Sequence, residues 1–326
     1  MKLLVTGGAG FIGSNFIHYV LEKYPDYQII NFDKLTYAGN LENLASIQES
    51  TNYTFIKGDI TNKELLDYIV TTHQVDVIVN FAAESHVDRS ITNSDEFVRT
   101  NILGTQTILD VARNKNIRFI QISTDEVYGS LGPTGYFSED TPLSPNSPYS
   151  ASKASADFMV RSYHETFGLN MNITRCSNNY GPFQFPEKLI PLMVINALTG
   201  KSLPVYGDGK NIRDWLHVKD HCSAIDLVIH KGKSGEVYNI GGHNERTNIE
   251  IVENIIETLG LSKELITFVP DRLGHDYRYA IDSSKIHNEL GWKASYSFKD
   301  GLKETISWYQ THQDWWDTGT GSLSQK

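Results

Sequence analysis

The chain has 326 residues, of which 40% are hydrophobic, enough for a sizeable core and for two domains. A formal net charge of −10 and a pI near 5.5 argue against a nucleic-acid partner, because no excess of positive charge attracts a polyanion. The two cysteines and the scattered histidines show no metal-ligand spacing, so we expect a reduced, cytoplasmic protein without a structural metal. We expect no membrane partner, because we find neither a signal peptide nor an apolar run of the ~20 residues that span a membrane.

Short apolar strands alternate with amphipathic helices in the first half of the chain. We predict strands at 2–6, 27–32, 53–57, 75–80, 118–123 and 171–175. We predict helices at roughly 11–24, 62–73, 100–115 and 150–167. This alternation predicts an α/β protein with a doubly wound parallel sheet, a Rossmann fold, and the continuously apolar strands fit burial on both faces.

The pattern changes after about residue 180, where loops rich in Gly, Pro and Asp join further helices. We predict these helices at 187–199, 219–231, 248–259, 283–290 and 298–312. A strand at 237–242 is expected to join the first domain. The sequence therefore predicts a nucleotide-binding Rossmann domain over 1–180, a smaller mixed substrate-binding lobe over 181–317 and a disordered tail over 318–326.

A glycine-rich turn follows the first predicted strand. The segment "VTGGAGFIGS" places Gly7, Gly10 and Gly13 between that strand and the first helix, with GxxGxxG spacing. Glycine suits a turn where the backbone approaches a pyrophosphate, and the helix N-terminus adds amide donors and a positive dipole end. The strand before it and the helix after it strengthen the prediction of a dinucleotide site.

An acid ends the second predicted strand. Asp33 lies 20 residues after Gly13, where a carboxylate can bind the ribose hydroxyls of adenosine and would repel a 2′-phosphate. We therefore favour NAD over NADP, although the neighbouring Lys34 could tolerate a phosphate. The structural alternative is an aspartate in a turn that ends the strand.

Two further segments end predicted strands at the edge of the sheet where ligands of doubly wound folds bind. Asp59 ends the third strand and could contact the adenine. Phe81, Ala82 and Ala83 follow the fourth strand, and the two alanines are small enough for a cofactor to pass closely.

The segment "SPYSASK" supplies a candidate proton acceptor. Tyr149 and Lys153 are four residues apart at the start of a predicted helix, and so lie on one face. A nearby ammonium is expected to lower the pKa of the phenol, which could then accept a proton from a sugar hydroxyl. Thr124, at the end of the fifth strand, can hydrogen-bond the same hydroxyl. The alternative is an exposed tyrosine beside a solvated lysine.

Longer motifs extend over residues 1–316 or so. They are "TGGAGFIGSNF", "DKLTYAGNLENL", "GDI", "NFAAESHVDRSI", "TNILGTQTIL", "STDEVYG", "YSASKASAD", "RCSNNYGPFQFPEKLIP", "YGDGKNIRDWLHVKDH" and "DRLGHDYRYAID". Together they identify a sequence that resembles the extended short-chain dehydrogenases/reductases, and among them the dehydratases that act on nucleotide sugars.

The resemblance implies an NAD-dependent dehydration. dTDP-glucose would be oxidised at C4, lose water across C5–C6 and regain the hydride at C6, giving a 4-keto-6-deoxy sugar for deoxysugar synthesis such as that of rhamnose. The alternatives are a 4-epimerase, a dehydratase of another nucleotide sugar such as UDP-glucose, or an NAD-binding sensor without catalysis. Related epimerases carry neutral residues where this chain has Asp125 and Glu126, which argues against an epimerase.

The resemblance assigns Asp125 as general acid and Glu126 as general base. Neighbouring carboxylates push each other's pKa values apart, which suits one protonated and one ionised group. Adjacent strand residues point to opposite faces, so both acids can serve one sugar only if the backbone bends after Thr124. Alternatively, Asp125 caps the next turn and Glu126 is solvated.

The resemblance also implies the remaining contacts. For the cofactor it adds Phe11, Ile12, Leu35, Thr36, Ile60, Thr100 and Asn179. For the substrate it implies Ser85, Thr124, Asn178, Lys188, Leu189, Pro204, Tyr206, Arg213, Asn248, Arg272 and His275. Arginine suits the diphosphate because its guanidinium matches phosphate oxygens bidentately. Members of the family commonly dimerise through helices equivalent to 100–115 and 150–167, so we expect a homodimer.

Overall fold

The computed structural model describes residues 1–271 and 273–320. The strands are β1 (Lys2–Thr6), β2 (Gln28–Asp33), β3 (Tyr53–Lys57), β4 (Val77–Asn80), β5 (Arg118–Thr124), β6 (Met171–Cys176), β7 (Asn178–Tyr180), β8 (Leu203–Tyr206), β9 (Ile212–His217), β10 (Val237–Ile240), β11 (Glu245–Thr247) and β12 (Ile266–Val269). The helices are α1 (Phe11–Lys23), α2 (Lys63–His73), α3 (Val87–Thr92), α4 (Asp95–Phe97), α5 (Thr105–Lys115), α6 (Pro148–Phe167), α7 (Leu189–Leu198), α8 (Val218–Lys231), α9 (Asn248–Leu259), α10 (Ser284–Leu290), α11 (Phe298–Thr311) and α12 (Gln313–Thr320).

Seven strands form one parallel sheet in the order β10-β6-β5-β4-β1-β2-β3. Alternate residues of β1 face opposite sides: Leu3 shares a buried cluster with Val228 of α8, and Leu4 shares one with Ile108 of α5. Both faces of the sheet are therefore covered by helices. The predicted doubly wound Rossmann fold is confirmed, and the carboxyl ends of β1, β2, β4 and β5 meet at one edge.

Two small sheets lie outside the main sheet. One has the order β11-β9-β7, and the other pairs β12 with β8. Helices α7, α9 and α11 bury their apolar faces in a shared core, represented by Val194, Ile255 and Ile306. The sequence analysis did not predict these strands, which lie between the helices that it did predict.

The chain returns to the main sheet after residue 180. Helix α8 contributes Ile225 and Val228 to the cluster that covers one sheet face, and Ile286 of α10 joins the same cluster. Strand β10 pairs with β6 at the sheet edge. The chain after residue 180 therefore contributes elements both to the main sheet and to the two small sheets, and where the two units divide stays a prediction.

Helix ends differ from the predictions by a few residues in most places, with two larger differences. The helix predicted at 100–115 begins earlier, because α4 continues through a π-helical segment (Val98–Gly104) into α5. Helix α12 extends to Thr320, so the backbone at 318–320 is helical where disorder was predicted, and 321–326 lie outside the described residues. Within 1–271 and 273–320, no helix combines the length and apolarity that crossing a membrane requires.

Candidate active site

The glycine turn brings the backbone of β1 against the end of β4. Gly7 has φ +69°, and a Cβ there would lie 2.6 Å from the amide nitrogen of Ala82. A Cβ on Gly13 would lie 2.5 Å from the carbonyl oxygen of Gly7. Helix α1 begins at Phe11 without a capping side chain or an acid in its first turn. Its free amides and positive dipole end therefore suit an anionic pyrophosphate.

We expect Gly7→Ala to lose dinucleotide binding, because a methyl group would push the turn away from Ala82. Gly168→Ala is the matched control, since Gly168 has the same φ of +69° but no atom within 4 Å of its Cβ position. Both variants should lose about 1 kcal/mol of unfolding free energy from the left-handed backbone alone. Cofactor content after purification and thermal unfolding would measure the two effects. Equal cofactor content in both variants would contradict the prediction.

Asp33 is held against the glycine turn. Its carboxylate accepts hydrogen bonds from the backbone N–H of Ala9 at 2.9 Å and of Leu35 at 2.8 Å. Burial raises the pKa of Asp33, and these two hydrogen bonds oppose the rise. Lys34 forms an ion pair with Asp59 at 3.0 Å, so its ammonium is directed to a carboxylate. This arrangement is better suited to ribose hydroxyls than to a 2′-phosphate.

A cavity of about 300 Å³ runs along the carboxyl ends of these strands. The predicted cofactor residues that line it are Gly7, Gly10, Phe11, Ile12, Gly13, Asp33, Lys34, Thr36, Asp59, Ile60, Phe81, Ala82, Ala83, Thr100, Tyr149, Lys153 and Asn179. Leu35 is absent from the lining and contributes its backbone N–H to Asp33 instead. The glycine cradle, the free helix terminus and the acid after β2 fit a dinucleotide.

Helix α6 places Tyr149 and Lys153 side by side. Ser147 and Ser150 form a capping box, and Pro148 occupies the first helical position, so the helix begins just before Tyr149. The Tyr149 ring is buried edge-on against Phe97, with 6.3 Å between centroids. The Lys153 ammonium donates to the carbonyl oxygen of Ile122 at 2.7 Å. Both residues line the cavity beside Thr124, and the exposed alternative is excluded.

We predicted that the Lys153 ammonium lowers the pKa of Tyr149. For the protein without bound ligands, this prediction is wrong. Burial raises the pKa of Tyr149 well above its ordinary value, the negative charge of Glu126 adds to the rise, and the neighbouring Thr124 hydroxyl opposes it only in part. Lys153 does not offset these effects, because its ammonium is bonded to a strand carbonyl and burial lowers its own pKa. A further positive charge in the cavity would favour the ionised phenol.

The acid pair lies where the backbone bends. After β5, residues Asp125–Tyr128 form a 3-10 turn, which Thr124 caps by accepting from the N–H of Glu126 at 3.2 Å. Both acids line the cavity. The bend expected after Thr124 is therefore present, and Thr124 caps the turn instead of Asp125.

The two acids differ in their surroundings. Asp125 is 1% exposed, and its Oδ2 has no hydrogen-bond partner among the described residues. Burial raises the pKa of Asp125 well above its ordinary value, and the negative charges of Glu126 and Asp214 raise it further. Glu126 is only partly buried. Asp125 is thus the member of the pair that best retains a proton.

Four predicted substrate residues line the same cavity: Ser85, Thr124, Asn178 and Lys188. The Lys188 ammonium donates to the carbonyl oxygen of Ser85 at 2.8 Å, which joins the start of α7 to the segment that follows β4. Asn179 also has a fixed orientation, because its Oδ1 hydrogen-bonds His221 at 2.9 Å and its amide donates to the carbonyl oxygen of Ser177 at 2.9 Å.

The other predicted substrate residues lie outside the cavity lining. Tyr206 and His275 are in edge-on contact with 6.4 Å between centroids, and Asn248 begins α9. The guanidinium of Arg213 is buried, donates to the carbonyl oxygen of Asp276 at 2.9 Å and influences the pKa of Asp125. Leu189 begins α7, Pro204 lies in β8, and Arg272 falls outside the described residues.

The sequence analysis assigned no ligand-binding role to a cluster of charged and aromatic side chains that adjoins the cavity. Glu187 pairs with Arg89 at 3.3 Å and with His86 at 3.7 Å. The guanidinium of Arg89 lies 3.7 Å from the centre of the Tyr37 ring. Glu187 lines the cavity, as do Glu84, Ser123, Ser177 and Gln184, which were also not predicted. Each of these residues lies in a motif that can be recognised in the sequence. The contacts between them join segments that are far apart along the chain and could not be predicted.

The fold and the site together define an extended short-chain dehydrogenase/reductase. A family model described as GDP-mannose 4,6 dehydratase matches residues 4–305. The chain is 51% identical to a dTDP-glucose 4,6-dehydratase of Xanthomonas campestris over 96% of this chain and 94% of the relative. The chain belongs to the dTDP-glucose 4,6-dehydratase family.

Solved structures of the family agree in fold. The Bacillus anthracis dTDP-glucose 4,6-dehydratase in complex with NAD has a TM-score of 0.92 and 58% identity, and the match covers 98% of this chain and 99% of that chain. DesIV of Streptomyces venezuelae, a dTDP-glucose 4,6-dehydratase with NAD and TYD bound, has a TM-score of 0.95 and 50% identity over 98% and 100% of the two chains.

Proposed function

We propose that the protein converts dTDP-glucose to dTDP-4-keto-6-deoxyglucose with retained NAD. The observation that carries the proposal is the acid pair: a fully buried Asp125 and a partly buried Glu126 share one cavity with Tyr149. An epimerase needs only the oxidation chemistry, whereas loss of water needs a proton donor and a proton acceptor. The similarity to dTDP-glucose 4,6-dehydratases supports the same activity and substrate.

Each residue then has one role. Bound NAD would accept and return the hydride, and its oxidised ring would supply the positive charge that favours ionised Tyr149. Tyr149 takes the C4 hydroxyl proton, with Thr124 bound to the same oxygen. Glu126 removes the C5 proton, which the C4 ketone acidifies, and C5 is later reprotonated. Asp125 donates a proton to the departing C6 hydroxyl.

The residues predicted to bind the two ligands keep those roles in this proposal. The glycine turn and the start of α1 hold the pyrophosphate of NAD, and Asp33 binds the adenosine ribose. Ser85, Asn178 and Lys188 contact the sugar from the cavity. Arg213 and His275 bind the diphosphate, and the surface around Tyr206 and Asn248 binds the nucleoside.

We also propose a cytoplasmic homodimer that feeds deoxysugar synthesis. Apolar side chains on the predicted dimer helices support the assembly, because Leu103 is 48% exposed and Phe158 of α6 is 58% exposed. Both cysteines are free and buried, which agrees with a reducing compartment. Light scattering at several protein concentrations would test the dimer.

Mass spectrometry gives the direct test of the reaction. The purified protein is mixed with dTDP-glucose without added NAD, and the product is examined for the loss of one water. Conversion under these conditions supports a dehydratase with retained cofactor, and UDP-glucose in parallel tests the nucleobase. Failure to lose water even with NAD supplied would contradict the proposal, and an isomeric product of unchanged mass would favour an epimerase.

A further inference from the structure

A path of side-chain hydrogen bonds leads from the C-terminal helix to the glycine turn. On α12, the indole N–H of Trp315 donates to Asn43 Oδ1 at 2.8 Å. The side-chain amide of Asn43 in turn donates to the carbonyl oxygen of Ala9 at 3.0 Å. Ala9 lies between Gly7 and Gly10, in the turn that precedes α1. Helix α12 is therefore connected to the predicted pyrophosphate site through one asparagine.

The partners of Asn43 fix its orientation. An indole N–H can only donate and a peptide carbonyl can only accept, so the side-chain oxygen of Asn43 must face Trp315 and its nitrogen must face Ala9. The side chain is buried, with 2% of the residue exposed. The backbone is held as well, because the Asn43 carbonyl oxygen accepts from Nε2 of His18, on α1, at 2.7 Å. Asn43 is thus a fixed point between α1, α12 and the turn.

The turn is held on both sides of Ala9. The N–H of Ala9 donates to Asp33 at 2.9 Å, and its carbonyl oxygen accepts from the side chain of Asn43 and from the N–H of Asn40 at 2.9 Å. Both peptide groups that flank Ala9 are therefore fixed. Their planes set where α1 begins, and with it the position of the free amides that suit a pyrophosphate.

We propose that Trp315 and Asn43 are positioning residues, through which α12 holds the glycine turn in the geometry that binds a dinucleotide. Neither residue is among those that line the cavity, so both act through the turn. The inference rests on the retained NAD of the proposed function. Without the indole N–H, Asn43 Oδ1 becomes a buried acceptor without its donor, which is costly. The side chain would then turn to another partner and release Ala9, and NAD would leave faster.

The rate at which isotope-labelled NAD replaces bound NAD in Trp315→Phe tests the proposal, with mass spectrometry as the readout. Phenylalanine removes the indole N–H but keeps an aromatic ring beside Trp308, whose ring centre lies 5.0 Å from that of Trp315. We expect replacement about fivefold to tenfold faster than in the wild type, the effect of one lost hydrogen bond. With saturating NAD, dehydration should keep the wild-type kcat, so that only the KM for NAD rises.

Trp316→Phe is the matched control, because it removes the neighbouring indole N–H of the same helix. The N–H of Trp316 donates to the carbonyl oxygen of Tyr309, on α11, at 2.9 Å, so its loss leaves Asn43 bonded to Trp315. Trp316 is buried, and this variant should unfold at a lower temperature while NAD replacement stays at the wild-type rate. A wild-type rate in Trp315→Phe, or equal acceleration in both variants, would overturn the proposal.

Hydrogen–deuterium exchange of the backbone tests the same connection in the protein itself, with equal NAD content in every sample. We expect peptides that contain residues 7–13 to take up deuterium faster in Trp315→Phe than in the wild type, and at the wild-type rate in Trp316→Phe. Equal uptake in Trp315→Phe and the wild type would overturn the proposal. A wild-type protein that binds no NAD would instead contradict the proposed function, and uptake in the turn would still decide whether α12 holds it.

Discussion

Asp125→Asn is expected to lower the rate of dehydration about 1,000-fold while C4 oxidation continues. Asparagine keeps the size of the side chain but cannot donate an acidic proton to the leaving hydroxyl. NADH should therefore accumulate on the protein after dTDP-glucose is added, because no C6 acceptor forms to take the hydride back. Absorbance of bound NADH and mass spectrometry of the product would measure the two steps separately.

Hydrogen exchange at C5 separates the acid from the base. In deuterated water, Asp125→Asn should still exchange the C5 hydrogen of the 4-keto intermediate, because Glu126 remains. Glu126→Gln should also form NADH but should lose this exchange. The opposite pattern would show that the roles of Asp125 and Glu126 are reversed.

The same assignment predicts how dehydration depends on pH. Burial and the charges of Glu126 and Asp214 raise the pKa of Asp125, so the protonated form persists to higher pH than in an ordinary aspartate. Elimination should be fastest below that raised pKa and should fall as the pH rises through it. NADH formation by Asp125→Asn should lack this decline, because it needs ionised Tyr149 and no acid at C6.

Local patterns were sufficient to predict the main sheet and the nucleotide turn. Apolar runs define β1 to β6, and Gly7 and Gly13 occur where a Cβ would meet the backbone of Ala82 and of Gly7. The spacing of Tyr149 and Lys153 fixes their common helix face. Each of these features depends on residues that are close in sequence, so their physical requirements can be recognised without the fold.

The small sheets could not be predicted in this way. Strand β9 buries Arg213 and Asp214, which a sequence pattern would expect in a solvated loop. Their partners are distant: Arg213 donates to the carbonyl oxygen of Asp276, and Asp214 accepts from the N–H groups of Gly242 and Asn244. Burying these charges costs free energy, and only the hydrogen bonds formed in the folded chain offset that cost.

The pKa of Tyr149, at the centre of the site, is another property that local sequence patterns could not predict. Four-residue spacing brings Lys153 near the phenol but does not fix which atom its ammonium binds. In the fold it binds Ile122, and the depth of burial then dominates. Proximity in sequence therefore predicted the right pair of residues and the wrong direction of the pKa shift.

Tyr149→Phe is expected to abolish NADH formation and to lower dehydration about 10,000-fold. Phenylalanine retains the buried ring and its edge-on contact with Phe97, so folding should be preserved. Without the phenol oxygen, no group at that position can accept the C4 hydroxyl proton, and the hydride cannot leave C4. Rapid mixing with dTDP-glucose, followed by absorbance of bound NADH, measures the step directly.

Tyr128→Phe is the matched control. Tyr128 is also a buried tyrosine, but it lies in the turn after β5 and not on α6. Its hydroxyl donates to Asn239 at 2.8 Å and accepts from Arg175 at 3.0 Å, so its loss leaves two buried groups without a partner. This variant should lose about 1–3 kcal/mol of unfolding free energy yet still form NADH. If Tyr149→Phe still formed NADH at the wild-type rate, the base would have to be another residue of the cavity. Glu126 would then be the first to test, because its negative charge already raises the pKa of Tyr149.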